Sequence, residues 1–263
     1  QEIYPDVLIK QSGSRLNLFI KILSKIEYWT YALSAKVVTI DPLFSATIES
    51  RLNPSKLICI PNFIDTQLYK PYIGKIEASL IFEGKFLVGY VGNLGKVQDW
   101  DSVIVAAKIC HINESIHFLI VGGGSEFEFL KSIESTLTNF SVWPYQDRKH
   151  IPKINSRIDL HIISMNQASD YDGLPSKVFE ILSSGKPILA ATNGDSPLAR
   201  IIKESGNGLI VSRNNAAAIA QGIYSSKKGY FTDEMANRGR KYIKNNYSKD
   251  AITQKYVDLF NTL

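Results

Sequence analysis

Along most of the chain, short apolar runs rich in β-branched residues alternate with longer stretches that repeat at helical spacing. The runs are 86–91, 116–121, 141–143, 160–163, 187–191 and 208–211. Between and after them lie helix-like segments at 100–109, 126–135, 151–155, 176–184, 197–204, 216–225, 233–245 and 250–260. Strands that are apolar throughout, each followed by a helix, predict an α/β fold whose parallel sheet carries helices on both faces. Gly185, just past the 176–184 segment, suits a left-handed C-cap.

The front of the chain is organised differently. Residues 16–33 read as a helix rich in apolar and aromatic side chains, with Lys21, Lys25 and Glu27 interspersed. A β-branched strand at 35–40 follows, and Asp41-Pro42 has the residue types of an N-cap and first helical position. Asn53-Pro54-Ser55 marks a turn before a strand at 56–60. The turn formers of Pro61-Asn62-Phe63-Ile64-Asp65 then mark a domain boundary. The expected organisation is three-part. Residues 1–62 would be the end of an N-terminal α/β domain and 63–245 a Rossmann-like domain. Residues 246–263 would be a C-terminal helix packing back on the N-terminal part.

Composition narrows the function only slightly. Hydrophobic residues at 44% and charged residues at 21% of the 263 are ordinary for a globular core. No apolar run approaches the roughly 20 residues that span a bilayer, and no signal peptide is evident. The first residue, Gln1, suggests a processed or excised chain. Cys59 and Cys110 have no zinc-like spacing and suit a reducing cytoplasm. A net charge of +5 is compatible with an anionic nucleotide, an acidic membrane face or nucleic acid. Without an Arg-rich run, a zinc-finger pattern or an aromatic RNA-binding signature, nucleic acid has the least support.

Ligands of open parallel sheets bind at the carboxyl ends of the strands, and two clusters fall there. Gly92-Asn93-Leu94-Gly95-Lys96 follows one strand and precedes a helix, so glycines and amides near a helix N-terminus suit a phosphate, with Lys96 adding charge. Alone the signal is weak, since tight turns need glycine anyway. It is not a dinucleotide fingerprint, because Tyr90 stands where the first glycine belongs, and no G-K-[ST] of a P-loop occurs. The second cluster runs from Asp172 through Gly173, Leu174, Pro175, Ser176 and Lys177 to Glu180, and continues into Ser184-Gly185-Lys186-Pro187. A carboxylate such as Glu180, in the second turn of the following helix, can accept two hydrogen bonds from vicinal hydroxyls like those of a ribose. His111, His117, His150 and His161 form no ligand set with acids, so no metal site is expected.

These clusters, with Ile60-Pro61-Asn62-Phe63-Ile64-Asp65, resemble glycosyltransferase family 4 over nearly the whole chain. Gln1-Glu2-Ile3-Tyr4-Pro5-Asp6 and Lys25-Ile26-Glu27-Tyr28 are similar to bacterial members that build surface polysaccharides, such as N-acetyl-fucosamine transferases. The resemblance implies the GT-B architecture, two Rossmann-like domains of which the C-terminal one binds the nucleotide sugar. It implies Gly92, Asn93, Leu94, Gly95, Lys96 and Lys177 at the diphosphate, and Glu180 on the ribose. Asp172, Gly173, Leu174, Pro175 and Ser176 would lie beside the donor sugar, and Gly122, Gly123, Pro144 and Tyr145 near the base. Asp172, Lys96 and Glu180 would carry the catalytic roles. The implied reaction is transfer with retention from a UDP-sugar to a lipid-linked or saccharide acceptor, with no cofactor and no obligatory metal. Its setting would be cytoplasmic, including the inner face of the membrane. Two departures stand out: Asp172 where the family's E-x7-E motif has Glu, and Gln98 near the place of a second phosphate-facing cation.

The family's glycine-rich N-terminal loop and active-site histidine have no counterpart in the first 60 residues. A longer protein and a short form that pairs with a partner chain both fit, as does a non-catalytic nucleotide-sugar-binding subunit. An epimerase of the same fold is a further alternative, though the acids and histidines it would need are not evident. The 16–33 segment fits both a helix packed within an incomplete domain and a membrane-surface helix.

Overall fold

In a computed structural model, residues 6, 17–72, 82, 84–167 and 174–263 are described. The chain divides into two units, residues 1–63 with 250–263, and residues 64–249.

In the first unit, helix α1 (Asn17–Leu33) precedes strand β1 (Val37–Thr39), helix α2 (Pro42–Ile48) and strand β2 (Leu57–Cys59). Asp41 caps α2 as its residue type foretells: its carboxylate accepts from Leu43 N–H at 2.8 Å, and Pro42 takes the first helical position. Strands β1 and β2 pair in parallel with Val37 opposite Leu57. The C-terminal helix (Lys249–Phe260) closes this unit, burying Ile252 and Leu259 against Ile60. Arg51 ties α1 down by binding Glu27 at 3.0 Å and Asp6 at 2.6 Å. One stripe of α1, including Leu18, Ile22, Ile26, Trp29 and Leu33, is exposed within the described residues.

The second unit is built on six parallel strands: β3 (Phe86–Val91), β4 (Ile116–Val121), β5 (Phe140–Trp143), β6 (Leu160–Ser164), β7 (Ile188–Ala191) and β8 (Gly208–Val211). Their order is β5-β4-β3-β6-β7-β8, and every neighbouring pair is parallel. Helices α3 (Trp100–Cys110), α4 (Phe127–Glu134) and α8 (Ala216–Lys227) bury apolar side chains on one face. Helices α5 (Ile151–Arg157), α6 (Lys177–Ser183), α7 (Pro197–Ser205) and α9 (Asp233–Tyr247) cover the other. Gly185 has φ 72°, the left-handed conformation that ends α6. The path starts at β3 in the middle, winds out to β5, returns to β6 beside β3, and winds out again to β8. Loops after β3 and β6 therefore leave in opposite directions, and the crevice between them is the place where such sheets bind ligands.

Candidate functional site

The loop after β3 is held rigid on all sides. Gly92 N–H donates to Val121 carbonyl at 2.9 Å, Leu94 N–H to Gly123 carbonyl at 2.9 Å, and Gly95 N–H to Gln98 Oε1 at 3.0 Å. Trp100 Nε1–H binds Gly95 carbonyl at 3.0 Å, and Asn166, past the end of β6, donates its backbone N–H to Val97 carbonyl at 3.0 Å and its side-chain amide to Lys96 carbonyl. The loop after β4 lies directly against this one. A Cβ on Gly122 would strike the Gly92 carbonyl, and one on Gly124 would come within 2.7 Å of Asn93 Oδ1. The glycines at 122 and 124 thus permit two strand-to-helix turns to touch.

This packing changes how the 92–96 loop can meet an anion. The sequence suggests open amides along the whole loop and at the start of α3. In the structure the Gly92, Leu94 and Gly95 amides are already bonded, while those of Asn93 and Lys96 have no partner among the described residues. The start of α3 is occupied too, because Asp99 accepts from Ser102 N–H at 3.1 Å and from Asn214 N–H at 3.2 Å. A carboxylate already satisfies that helix end. Gln98, at the place of the family's second cation, serves the loop's own hydrogen bonding.

Positive charge reaches the turn from Lys177, on the first turn of α6. Its ammonium lies 2.6 Å from where a Cβ on Gly92 would stand, over the Tyr90 ring at 3.7 Å from the centroid, and donates to the Tyr90 hydroxyl. Tyr90 in turn donates to Asn93 carbonyl at 2.7 Å and packs edge-on to Trp100 at 5.0 Å. Burial pulls the Lys177 pKa down to about 7, with Glu180 opposing the shift. Lys96, by contrast, is exposed.

Glu180 sits one helical turn beyond Lys177. Burial pushes its pKa upward, against a hydrogen bond from Tyr69 and the charges of Lys177 and Arg148. Burial also pushes the Tyr69 hydroxyl up to about 12, so it stays protonated and donates. Arg240 on α9 fixes the segment carrying Tyr69, donating to the carbonyls of Ser183, Tyr69 (3.3 Å) and Thr66 (3.4 Å). Ser183 Oγ adds a bond to Tyr69 carbonyl at 2.5 Å.

The other candidate residues are placed as follows. Gly122 N–H binds Trp143 carbonyl at 3.0 Å, and a Cβ on Gly123 would lie 3.9 Å from Tyr145 Cβ, so the loops after β4 and β5 adjoin. Pro144 is exposed, and Tyr145 is 75% exposed with its ring available to a stacking ligand. Leu174 is half-buried against the core, Pro175 is half-buried, and Ser176 precedes α6 without a side-chain cap bond. Asp172 and Gly173 lie outside the described residues. Tyr90, Tyr69, Arg148 and Arg240 are not evident from motif spacing; the one available signal was a large aromatic at 90, two residues before the turn glycine. His161 and His117 are structural: burial lowers them to about 3 and about 4, and they bind Asn155 carbonyl and Ser141 Oγ. Among the described residues, no group of three His, Cys, Asp or Glu could hold a metal, and no helix is long and apolar enough to cross a membrane.

A doubly wound parallel sheet with its loops gathered at the β3/β6 switch point defines a Rossmann-like α/β domain. Residues 74–247 match the family described as Glycosyl transferases group 1, and the chain belongs to that family. It is similar to the Pseudomonas aeruginosa protein named "Probable glycosyltransferase WbjE", with 22% identity over 231 residues, 84% of this chain and 56% of WbjE. It is also similar to an Escherichia coli UDP-Gal:alpha-D-GlcNAc-diphosphoundecaprenol alpha-1,3-galactosyltransferase, at 25% identity over 229 residues, 80% of this chain and 56% of that enzyme. The chain spans about half the length of the curated relatives it matches. Among solved structures, Anabaena HepE in complex with UDP superposes with a TM-score of 0.74 at 16% identity, covering 97% of this chain and 70% of HepE. TarM gives 0.70 at 20%, covering 91% and 46%. The fold is of the GT-B type.

Proposed function

We propose that the 64–249 unit binds the nucleotide of a UDP-sugar, and that the protein transfers the sugar with retention to a lipid-linked or saccharide acceptor during surface-polysaccharide assembly. The observation that carries the proposal is the Lys177 ammonium set against Gly92 at the switch point, one turn from Glu180. In this reading the diphosphate rests on the 92–96 loop, Lys177 meets its charge, Glu180 accepts from the ribose hydroxyls, and Tyr145 stacks on the base. Breaking the anomeric C–O bond leaves negative charge on the departing β-phosphate, and a fixed ammonium stabilises that charge without a metal. Asp172 belongs beside the donor sugar by its place in the motif. UDP is favoured because HepE was solved with it, and a lipid-linked acceptor because the Escherichia coli relative is named for one. Such acceptors place the reaction at the cytoplasmic face of the membrane.

Calorimetric titration of UDP, GDP, ADP and uridine tests the site. UDP is expected to bind best of the four. Lys177→Ala should weaken UDP by roughly tenfold or more, the equivalent of one charge-assisted hydrogen bond, and leave uridine unaffected. Glu180→Ala should weaken both. Absence of heat with every nucleotide sinks the assignment, and turnover of a UDP-sugar without acceptor would redirect it to an epimerase.

A further inference from the structure

Tyr90 does more than fill the core. At 2% exposure its ring is locked edge-on against Trp100, a role phenylalanine would fill equally well. The hydroxyl has two further partners. Its one proton goes to Asn93 carbonyl, so toward Lys177 it can only accept, and Lys177 must be the donor. Burial raises the phenol's pKa, which keeps that proton in place. The ring face adds a second attraction for the ammonium. A lysine side chain otherwise samples many rotamers, and holding its head before a ligand arrives removes that ordering step from binding. Gly92 completes the arrangement, because any Cβ there would meet the ammonium at 2.6 Å.

We infer that Tyr90 is a positioning residue, whose hydroxyl and ring hold the Lys177 ammonium behind the Gly92 turn for the diphosphate of a nucleotide sugar. This rests on the reading above that Lys177 meets the diphosphate. The groups facing that ammonium are Tyr90 from β3, Glu180 from its own helix, and His161 from β6, which burial keeps neutral. Glu180 is therefore the one acid among the described residues that opposes loss of its proton.

UDP-glucose is the probe, since its diphosphate lacks the terminal phosphate ionisation near pH ~6 that complicates UDP. Wild-type affinity should be greatest at about pH 6 and fall as pH rises through the ligand-bound value of Lys177, above about 7. Tyr90→Phe should weaken binding roughly tenfold at about pH 6 and displace the midpoint of that fall. A fluorinated tyrosine at position 90, whose oxygen is a poorer acceptor, should move the midpoint to lower pH even if the phenylalanine variant does not fold. Unchanged affinity, or weaker binding with an unmoved midpoint, overturns the inference, the latter being what mere loosening produces. Should Lys177→Ala also bind UDP-glucose as wild type does, the fault lies with the diphosphate reading and not with Tyr90.

Discussion

The Tyr69 hydroxyl donates a hydrogen bond to the Glu180 carboxylate, joining the segment after Ile64 to the first turn of α6. Glu180 is half-buried, and burial alone would favour its neutral form; Tyr69 is the largest influence keeping it charged. A protonated carboxyl loses acceptor capacity for paired hydroxyls. Nucleotide affinity should therefore rise with pH through the Glu180 ionisation. In Tyr69→Phe that rise should move to higher pH, so UDP binding suffers more at about pH 5.5 than at about pH 7.5. Isothermal titration at the two pH values decides it, and an equal loss at both would refute the role given to Tyr69.

Lys177 sets function against stability. Its ammonium is held at about 7 in the folded protein, against about 10.4 for a lysine in an unfolded chain. Between those values the unfolded chain binds more protons, so this residue makes stability rise with pH across that window; below it the penalty is full and constant. Lys177→Met should therefore raise the melting temperature most at about pH 6, and the gain should fade as pH approaches about 10. The same variant loses UDP binding. A stability difference that does not vary with pH would show that the lysine is not buried in its charged form.

Much of this fold is legible in the sequence, for a physical reason. Strands β3, β4 and β8 have the bounds their apolar runs announce, because each run stops sharply at flanking polar or glycine residues, Lys85 and Gly92, Ser115 and Gly122, Asn207 and Ser212. Asp41-Pro42 and Gly185 mark helix ends through local backbone chemistry, which operates whatever the rest of the chain does. The Tyr90–Lys177 contact spans 87 residues and exists because the order of strands puts β3 beside β6, whose following helix carries the lysine. Periodicity sees Tyr90 as one more inward strand residue. Arg240, 171 residues from Tyr69, is likewise an ordinary polar position on an amphipathic helix until α9 docks on α6. The amides of the 92–96 loop mislead in the opposite direction, since a sequence does not reveal which of them the adjoining glycine loop has taken.

Arg240 supports the candidate site without touching it. It donates to three carbonyls, those of Thr66, Tyr69 and Ser183, and so fixes the segment that delivers the Tyr69 hydroxyl. Arg240→Leu removes that donor from the Thr66 and Ser183 carbonyls, while the Tyr69 carbonyl keeps Ser183 Oγ, and costs about 1–3 kcal/mol for each acceptor left unpaired that water does not reach. Stability should fall by about 2 kcal/mol in urea denaturation, and UDP affinity should fall with it through Tyr69. Arg240→Lys keeps the charge but not the planar fork, so it should restore little of either. Wild-type affinity in a folded Arg240→Leu protein would show that Tyr69 needs no such support.

Gly122 and Gly123 are adjacent, yet alanine should be costly at the first and nearly neutral at the second. At Gly122 the backbone has φ 155°, and an added Cβ would run into the Gly92 carbonyl, a backbone atom that cannot rotate aside. The loop after β4 would have to move away from the loop after β3, breaking the bonds from Gly92 N–H to Val121 and from Leu94 N–H to Gly123. A strained backbone together with overpacking costs about 2–4 kcal/mol. Because the Gly92 turn moves with it, Gly122→Ala should also lose UDP. At Gly123 the nearest atom to a new Cβ is Tyr145 Cβ at 3.9 Å, an ordinary van der Waals contact. Gly123→Ala should therefore melt within a few degrees of wild type, and any change in its nucleotide binding would report on Tyr145 and the base alone. If the two variants melt alike, the close approach of the glycine loops is not what holds the turn in shape.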